Sequence, residues 1–536
     1  MENVLAQFSQ VVGKFPDRIA ITHYASRDQK TDITFSELDQ RASRCADYLQ
    51  RSGVHPGDLV GVYMHRHIEH VVATLAILKS GAAAYSINIR AMVPQVNYIL
   101  GVSRTKFLFI DNTALLTLGT SEEILPDTIE LVHCAGAKMN PVHEQLLEKI
   151  RTSAHVQTHP CAEVHFPVGT HCPVVNHDTA LVLFTSGSTG LPKGVMISHQ
   201  DLINRALTEC RYFSITAEDC LLSLLPFSFD VGCNQMFTAL MTGARLLILN
   251  SWLPGDICSV INTCRVTGIS GVPAIWTGML DAADESMAKA LSAVRYITVS
   301  GGDLPLPQLE RLQRLAGAAR IFKTYGQTET FRSSILQPEE YDKKMASVGR
   351  PVRGTEVIIL NKKGMRATAN EAGEIIHRGD GMMLGYLADV PATRKKIRKN
   401  PLRNADALTP QFVVYTGDIG KIDEDGYLYI LGRKDKMIKT SGYRVYPREI
   451  TDRVTAYPAV KEAVVFGVAD EKIGKRIHCV IQLKPEAAAT EQEIRHYLAA
   501  RLPSYMVPAK IYFTDSFPRT ESGKIKNSEV EKAYNA

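Results

Sequence analysis

The feature that most constrains the fold is the alternation of amphipathic helices with short strands that are apolar along nearly their whole length. Residues 34–37 (TFSE) have the form of a capping box, and apolar residues recur behind them at helical spacing up to a stop at Gly53. A second helix is predicted at 68–79, and apolar strands at 59–64, 106–110, 180–185 and 245–249. Because a strand without polar alternation is usually covered on both faces, the pattern predicts α/β architecture.

The length and the later part of the chain indicate more than one domain. At 536 residues the chain is too long for a single compact core. Beyond GRKD at 432–435, strand patterns at 463–468 and 477–483 and a helix pattern at 491–500 follow as a separate group. We therefore predict a large multi-sheet α/β N-terminal domain at 1–432 and a small α+β C-terminal domain at 433–536.

Composition and charge exclude several classes of protein. The net charge of +5 is small for this length, so nucleic acid is not an expected partner. The N-terminus has no signal-peptide pattern, and no run reaches the roughly 18 apolar residues of a membrane span, so no membrane association is expected. Ten scattered cysteines without a CxxC pair predict reduced thiols and a cytoplasmic location. The histidines and cysteines of 155–172 fit no common zinc spacing, which argues against a metal there.

The strongest local motif is LFTSGSTGLPKG at 183–194, where an apolar strand runs into a loop of Gly, Ser and Thr. Glycines let backbone N–H groups approach a phosphate, hydroxyls donate hydrogen bonds, and Lys193 offers a positive charge. The loop is not a Walker A sequence, which requires GxxxxGK[ST]. By chemistry alone it is either a phosphate site or a polar surface loop.

With His199 behind it, TSGSTGLPKG resembles the phosphate loop of the adenylate-forming superfamily. That family comprises acyl- and aryl-CoA synthetases, adenylation domains of nonribosomal peptide synthetases, and beetle luciferases. Further motifs of the family follow in the same order, so the resemblance covers nearly the whole chain. It implies that these loop residues hold the phosphates of ATP: Thr185, Ser186, Gly187, Ser188, Thr189, Gly190 and Lys193.

The segment YGQTET at 325–330 resembles the second ATP motif of this family. The resemblance implies that the ring of Tyr325 stacks on adenine and that Glu329, with Thr185, helps to hold Mg²⁺. A hard cation prefers carboxylate and phosphate oxygens, which agrees with that role. The remaining implied nucleotide contacts are Gly301, Gly302, Asp303, Gly326, Thr328, the ribose-binding Asp418, and Arg433. Gly385-Tyr386 resembles a further family signature, to which we assign a structural role.

The segment PRTESGK at 518–524 resembles the family's C-terminal catalytic lysine motif. The implied catalytic residues are therefore Lys524, Glu329 and Thr185. Lys524 is expected at the substrate carboxylate and α-phosphate, where a fixed ammonium stabilises the charge of the transition state. The resemblance also implies a mobile C-terminal domain that swings about Asp435, so that a pantetheine thiol attacks the acyl-adenylate in a second step.

The acid pocket is indicated by Phe229-Asp230, a pair that resembles amino-acid-activating members of the family. There the aspartate pairs with the substrate ammonium, and a lone carboxylate in an apolar pocket needs such a cation. The alternative is that Asp230 caps a helix that begins near Gly232. Arg332 is unusual and has three possible partners: Asp230, Glu329 or a polar substituent of the acid. The other predicted pocket residues are Val231, Asn234, Gly271, Thr298, Ser300, Thr324 and Ser333.

This small, polar pocket suits a compact acid such as proline or an aminobenzoate better than a long fatty chain. We expect the enzyme to stand alone and to load a separate phosphopantetheinyl carrier protein in natural-product (antibiotic) biosynthesis. The alternative is an acyl- or aryl-CoA ligase, with CoA as the acceptor. The basic run at 394–399 is interpreted as a solvated face, in preference to a contact with a carrier or with CoA. A non-catalytic nucleotide-binding regulator should have lost Lys524 or Glu329, and both are present.

Overall fold

The computed structural model describes residues 3–25, 29–119, 129–133, 145, 174–186, 191–302, 304–404, 408–440, 443–470, 473–520 and 523–535. Its mixed α/β architecture, with a large multi-sheet N-terminal part and a smaller C-terminal part, confirms the predicted fold class. The His- and Cys-containing segment 155–172 lies outside the described residues.

Helices occur throughout the described part of the chain. They are α1 Val4–Lys14, α2 Phe35–Arg51, α3 Ile68–Lys79, α4 Val93–Ser103, α5 Asn112–Gly119, α6 His199–Phe213, α7 Asp230–Thr242, α8 Pro254–Cys264, α9 Pro273–Asp281, α10 Glu285–Ser292, α11 Leu306–Ala316, α12 Tyr341–Lys344, α13 Val390–Lys396, α14 Pro447–Thr455, α15 Glu491–Ala499 and α16 Asn527–Tyr534. Short 3₁₀ turns lie at Pro338–Glu340, Lys434–Lys436 and Ser504–Met506.

The strands range from two residues to eleven. They are β1 Ile19–Tyr24, β2 Lys30–Thr34, β3 Leu59–Tyr63, β4 Ala83–Ser86, β5 Phe107–Ile110, β6 Glu130–His133, β7 Thr179–Ser186, β8 Pro192–Ser198, β9 Cys220–Ser223, β10 Arg245–Leu249, β11 Gly268–Gly271, β12 Tyr296–Val299, β13 Arg320–Tyr325, β14 Ser334–Leu336, β15 Arg350–Pro351, β16 Thr355–Leu360, β17 Gly373–Gly379, β18 Gly385–Tyr386, β19 Ile397–Lys399, β20 Phe412–Ile422, β21 Leu428–Arg433, β22 Ile438–Thr440, β23 Tyr443–Val445, β24 Val460–Asp470, β25 Gly474–Leu483 and β26 Lys510–Phe513.

Two large sheets form most of the N-terminal part. Within the described residues, one has nine strands in the order β15-β14-β13-β12-β11-β9-β10-β1-β2, and the other has seven in the order β18-β8-β7-β4-β3-β5-β6. Strands β9 to β13 run parallel to one another in the first sheet. A single apolar cluster joins the two sheets and includes Ile21 and Leu246 of the first and Val60 and Leu181 of the second. The helices between them are thus buried on more than one side.

Two smaller sheets complete the described part of the chain. Strands β16, β17, β20 and β19 form one in that order, with β21 paired to β20. The other is C-terminal and has the order β23-β22-β25-β24, with β26 parallel to β25. The apolar core of this last sheet includes Ile438, Val465, Ile477 and Leu498, and is separate from the larger cores. A domain boundary at residue 432 stays a prediction.

The local signals explain why these helices start where they do. Thr34 caps α2, and its hydroxyl accepts a hydrogen bond from the N–H of Glu37 at 3.2 Å. The Glu37 carboxylate accepts in return from the N–H of Thr34 at 2.9 Å, so the predicted capping box is present. Helix α3 has the predicted bounds. No helix in the described ranges combines the length and apolar character needed to cross a bilayer.

Candidate active site

The candidate site lies at the carboxyl ends of adjacent parallel strands of the nine-stranded sheet. Gly271 ends β11, Ser300 follows β12, and Tyr325 ends β13. Parallel strands bring their carboxyl ends to one edge of a sheet, where α/β proteins place their ligand sites. The sheet itself therefore gathers predicted residues that lie far apart in the sequence.

Asp418, on β20, is the centre of the predicted ribose site. Its Oδ2 atom accepts hydrogen bonds from the Tyr325 hydroxyl and the Gln327 amide, each at 2.7 Å. Its Oδ1 atom accepts from the Arg433 guanidinium at 3.0 Å. Burial, reinforced by the neighbouring Asp418 carboxylate, raises the pKa of Tyr325 well above its ordinary value, so Tyr325 is a hydrogen-bond donor here. Two predicted nucleotide residues, Tyr325 and Arg433, are thus joined through the buried Asp418 carboxylate, and Gln327, which was not predicted, is a third donor to it.

Glu329, the predicted metal-site carboxylate, is held by a tyrosine and approached by a lysine. The Tyr386 hydroxyl donates to its Oε1 atom at 2.6 Å, and the Lys396 ammonium lies 3.8 Å from that atom. Burial, and next the Glu329 charge, raise the pKa of Tyr386 above its ordinary value. Lys193 lies 5.3 Å from the centroid of the Tyr386 ring. Tyr386 therefore lies between the phosphate-loop lysine and Glu329, and its structural role stays a prediction.

Lys396 is a site residue, although the sequence pattern predicts a solvated face for its whole basic run. It ends α13, and its ammonium donates to the Gln327 Oε1 atom and to the Thr416 carbonyl oxygen, each at 2.9 Å. Burial lowers the pKa of Lys396, and the nearby Glu329 charge opposes that shift. Its neighbour Lys395 is exposed, so only part of the basic run is a solvated face. In the sequence, nothing distinguishes Lys396 from the exposed basic residues beside it.

Lys524 reaches the same region from the C-terminal part of the chain. Its ammonium lies 5.7 Å from the centroid of the Phe229 ring. Burial of the ammonium among protein atoms lowers the pKa of Lys524, although the residue as a whole is exposed, and the charges of Asp230 and Asp418 oppose the shift. An ion pair of 2.6 Å between Lys461 and Asp281 also connects the two parts of the chain. Lys524 therefore lies beside Phe229, a predicted pocket residue.

Asp230 lies at the start of α7, directly after Phe229. Its Oδ1 atom accepts from the N–H of Val231 at 2.7 Å, and its Oδ2 atom accepts from the Thr328 hydroxyl at 3.1 Å. The first contact is the helix-end role of the alternative interpretation, although Phe229, and not Asp230, occupies the capping position. The second contact ties the same half-buried carboxylate to the nucleotide motif.

Arg332 pairs with a residue that was not among its three expected partners. The buried guanidinium donates from Nε to the Oε1 atom of Glu209 on α6 at 3.0 Å, so its acidic partner is neither Asp230 nor Glu329. It also donates to the hydroxyls of Ser300 at 3.2 Å and Thr324 at 2.7 Å. Since Glu209 and Arg332 are 123 residues apart, only the packing of α6 against the strand ends reveals the pair.

The other predicted pocket residues are distributed around this pair. The Thr298 hydroxyl is 3.2 Å from that of Ser300, and Asn234 and Val231 are buried on α7. Gly271 lies under Trp276, since a Cβ atom there would be 2.6 Å from the indole ring. Ser333 is turned to another partner: its hydroxyl is 3.0 Å from Nδ1 of His377.

At two positions of the predicted nucleotide site, steric contacts or backbone conformation explain why the residue is glycine. At Gly326 a Cβ atom would lie 1.2 Å from the Phe331 carbonyl oxygen. Gly301 has φ +73°, a left-handed conformation that favours glycine, and it packs against the Phe229 ring. Gly302 comes next, and a Cβ atom there would lie 3.3 Å from the Pro273 ring.

The predicted phosphate loop is described only at its two ends. Residues 187–190 and Asp303 lie outside the described residues, and of Ser186 only the backbone is described. Thr185 and Lys193 face each other across the β7–β8 pair, and the Thr185 hydroxyl is 3.5 Å from the Lys193 carbonyl oxygen. The described ranges contain no group of three or more His, Cys, Asp or Glu side chains that could hold a metal. One carboxylate, Glu329, suits Mg²⁺ held mainly by phosphate oxygens.

Comparison with known proteins identifies the family. The family model described as "AMP-binding enzyme" matches residues 8–387, and the "AMP-binding enzyme C-terminal domain" model matches residues 449–524. The chain belongs to this family, which confirms the predicted membership of the adenylate-forming superfamily. This membership and the similar proteins support an adenylate-forming ligase activity that uses ATP.

The similar proteins include relatives of two kinds. One of the linear gramicidin synthase proteins of Brevibacillus parabrevis is 30% identical over 540 residues, which is 98% of this chain and 6% of that synthase protein. The 2-succinylbenzoate–CoA ligase of Geobacillus kaustophilus is 29% identical over 518 residues, which is 96% of this chain and 95% of the ligase. The chain thus spans a small part of the first relative and nearly all of the second.

Solved structures share the whole architecture. The o-succinylbenzoate CoA synthetase (MenE) of Bacillus subtilis, in complex with its acyl-adenylate intermediate, is 27% identical with a TM-score of 0.79, covering 98% of this chain and 97% of that chain. ATP-bound MatB from Rhodopseudomonas palustris is 24% identical with a TM-score of 0.82, covering 100% and 99%. The second likeness shows the fold alone.

Proposed function

We propose that this enzyme activates a small carboxylic acid bearing an amine, such as proline or an aminobenzoate, and loads it onto a separate phosphopantetheinyl carrier protein. One observation carries the proposal. The Lys524 ammonium lies 5.7 Å from the centroid of the Phe229 ring, Asp230 directly follows Phe229, and the Asp230 charge is near enough to raise the pKa of Lys524 against the effect of burial. An acid with an amine brings a carboxylate for Lys524 and a cation for Asp230, so both charges of the pocket are matched.

In the adenylation step, this chain's residues position the reactants and stabilise charge. Asp418 accepts from the ribose hydroxyls, and the Tyr325 ring stacks on adenine. Lys524 attracts the substrate carboxylate and then the negative charge that builds at the α-phosphate as the oxygen–phosphorus bond forms and pyrophosphate leaves. Glu329 and Thr185 would hold Mg²⁺, which neutralises phosphate charge when bound.

The second step requires the small domain to turn about Asp435. In the present orientation Arg433 contacts both Asp418 and, at 3.4 Å, Asp435. We propose that this contact opens when the domain turns and Lys524 withdraws. The carrier's thiol then attacks the acyl carbon and AMP leaves. This is a hinge closure in which one site serves two reactions.

The relatives support both the proposal and its alternative. Similarity to a linear gramicidin synthase supports an amine-bearing acid and a role in natural-product biosynthesis. Similarity to 2-succinylbenzoate–CoA ligase supports the alternative, an acyl- or aryl-CoA ligase. The Phe229-Asp230 pair favours the first. The described cysteines, all of them free, support a cytoplasmic location.

Acid-dependent ATP–pyrophosphate exchange tests the proposal. The panel is the standard amino acids, aminobenzoates, hydroxybenzoates and short fatty acids, each with MgATP. We expect strong exchange with one amine-bearing acid. The activated acid is then offered to CoA and to phosphopantetheinylated carrier proteins, and we expect transfer to a carrier. Exchange restricted to acids without an amine, followed by transfer to CoA, would establish the alternative.

A further inference from the structure

Helix α9 of the N-terminal part has a face that contacts the C-terminal part of the chain. Ala274, Thr277 and Asp281 are spaced by three and four residues, so they lie on one side of this helix. The Thr277 hydroxyl donates to the Oε1 atom of Gln308, on the neighbouring helix α11, at 2.8 Å. We call these side chains the docking face: Ala274, Thr277, Asp281 and Gln308.

Lys461 is the residue of the C-terminal part that meets one end of the docking face. Its ammonium lies 2.6 Å from the Asp281 Oδ2 atom, and its carbonyl oxygen accepts from the Gln308 amide at 3.3 Å. The register of β24 against β25 shifts between Val460 and Glu462, so Lys461 is the extra residue of a β-bulge. A bulge re-aims a side chain and leaves its extra residue outside the strand ladder, which frees Lys461 for both contacts.

Gly523, the residue before Lys524, meets the other end of the docking face. A Cβ atom at Gly523 would lie 2.6 Å from the Ala274 side chain and 3.4 Å from the Trp252 ring. The Lys524 carbonyl oxygen accepts from the N–H of Thr520 at 2.7 Å, so the chain before Lys524 is itself hydrogen-bonded. The docking face therefore packs against the backbone that carries Lys524.

The two contact points are connected within the C-terminal part. Glu462 follows Lys461, and its carboxylate accepts a hydrogen bond from the Arg519 guanidinium. Arg519 also donates to the Gly523 carbonyl oxygen at 3.1 Å, one residue before Lys524. Lys461 is therefore joined through side-chain hydrogen bonds to the backbone that carries Lys524.

Asp281 occupies a position that its own helix disfavours. It is the last residue of α9, where the helix dipole disfavours a carboxylate and would favour a basic side chain. The side chain of Asp281 is 41% exposed and that of Lys461 is 22% exposed, so neither fills a core. The contact with Lys461 therefore explains an acidic residue here, and the stability of α9 does not.

We propose that Asp281 and Gln308 are positioning residues for adenylation. They hold Lys461, and through it Lys524, against the N-terminal part while the acid is activated. The same contacts must open before the C-terminal part turns about Asp435, so their strength sets the balance between the two half-reactions. This proposal rests on the roles that the proposed function gives to Lys524 and Asp435.

A charge swap tests the contact. Asp281→Lys and Lys461→Asp each bring like charges together, so each should lower ATP–pyrophosphate exchange by roughly tenfold. The double variant Asp281→Lys/Lys461→Asp restores an ion pair and should return exchange to within about threefold of the wild type. Thiol loading from supplied acyl-adenylate should be unchanged or faster in both single variants, which a general loss of structure would not produce.

Tryptophan fluorescence gives a second readout that needs no substrate. Of the two tryptophans in the chain, Trp276 is fully buried and Trp252 borders Gly523. Loss of docking uncovers Trp252, so quenching by acrylamide should increase in Asp281→Lys and return to the wild-type value in the double variant. In a Trp252→Phe background this increase should be absent.

Two further variants complete the test, and a thermal melt checks that every variant is folded. Gln308→Ala removes the amide that contacts the Lys461 carbonyl, and should lower exchange about threefold without lowering thiol loading. Glu218→Lys is the matched control, since it reverses an exposed carboxylate outside the docking face that pairs with Arg18 at 2.8 Å. It should leave exchange, thiol loading and quenching unchanged.

The outcomes separate this proposal from the proposed function. A double variant no more active than the single ones overturns the role of the docking face, as does an equal fall of exchange and thiol loading in a folded Asp281→Lys variant. Unchanged exchange and quenching in the single variants also overturn it. Exchange confined to acids without an amine contradicts the proposed function alone, because the charge swap is measured with whichever acid supports exchange.

Discussion

Replacing Lys524 by alanine should separate the two half-reactions. At about 4 Å and an effective dielectric constant of about 20, an ammonium and a developing unit charge interact by about 4 kcal/mol, which is roughly a thousandfold in rate. Solvent access to the partly exposed side chain reduces this value. We therefore expect adenylation to fall by about a hundred- to a thousandfold.

The assay measures each half-reaction with the acid that supports exchange. ATP–pyrophosphate exchange reports adenylation, and thiol loading from supplied acyl-adenylate reports transfer. Lys524→Ala should leave transfer within about twofold of the wild type, because Lys524 is withdrawn in that step. Lys526→Ala is the matched control, since its ammonium pairs with Glu529 at 2.8 Å on the exposed surface. An equal fall of both half-reactions would refute the assignment of Lys524 to adenylation alone.

Three further predictions follow from the site. Lys396→Met removes two charged hydrogen bonds, so kcat/KM for ATP should fall roughly ten- to a hundredfold in a steady-state assay. Lys395 is exposed, so Lys395→Met should match the wild type in the same assay. Asp418→Asn loses the anionic acceptor that faces three donors, and titration with MgATP should show binding weakened by about tenfold or more. Burial lowers the pKa of Lys524, so its ammonium loses its proton at a lower pH than that of a free lysine. As the pH is raised, the adenylation rate of the wild type should therefore decline earlier than that of Lys524→Arg, and superimposable pH profiles would contradict this.

Much of the fold follows from local patterns, because apolar runs and caps act within a few residues. The predicted bounds 68–79 match α3, and the capping box at Thr34 starts α2 as expected. The motif order also anticipated which residues meet, since Tyr325, Asp418 and Arg433 are joined in the structure.

The rest depends on contacts between distant parts of the chain. Lys396 looks like its exposed neighbours in the sequence, and only the docking of α13 beside β20 turns it toward Thr416. Likewise, the partner of Arg332 is fixed by where α6 packs, and the sequence offered Asp230 and Glu329 as equally reasonable partners. Side chains that act through tertiary contacts carry no periodic signal.

The most direct test of the proposed function is the effect of Asp230→Ala on a matched pair of acids. The pair is the amine-bearing acid that supports exchange and the same acid without its amine, with the exposed Asp425→Ala variant as the control. We predict that exchange with the amine-bearing acid falls by roughly a hundredfold or more, because its ammonium is left buried and unpaired, while exchange with the amine-free acid is unchanged or improved. An equal fall for both acids, or a wild type that prefers the amine-free acid, would contradict the proposed function and leave Asp230 as a residue of the helix end.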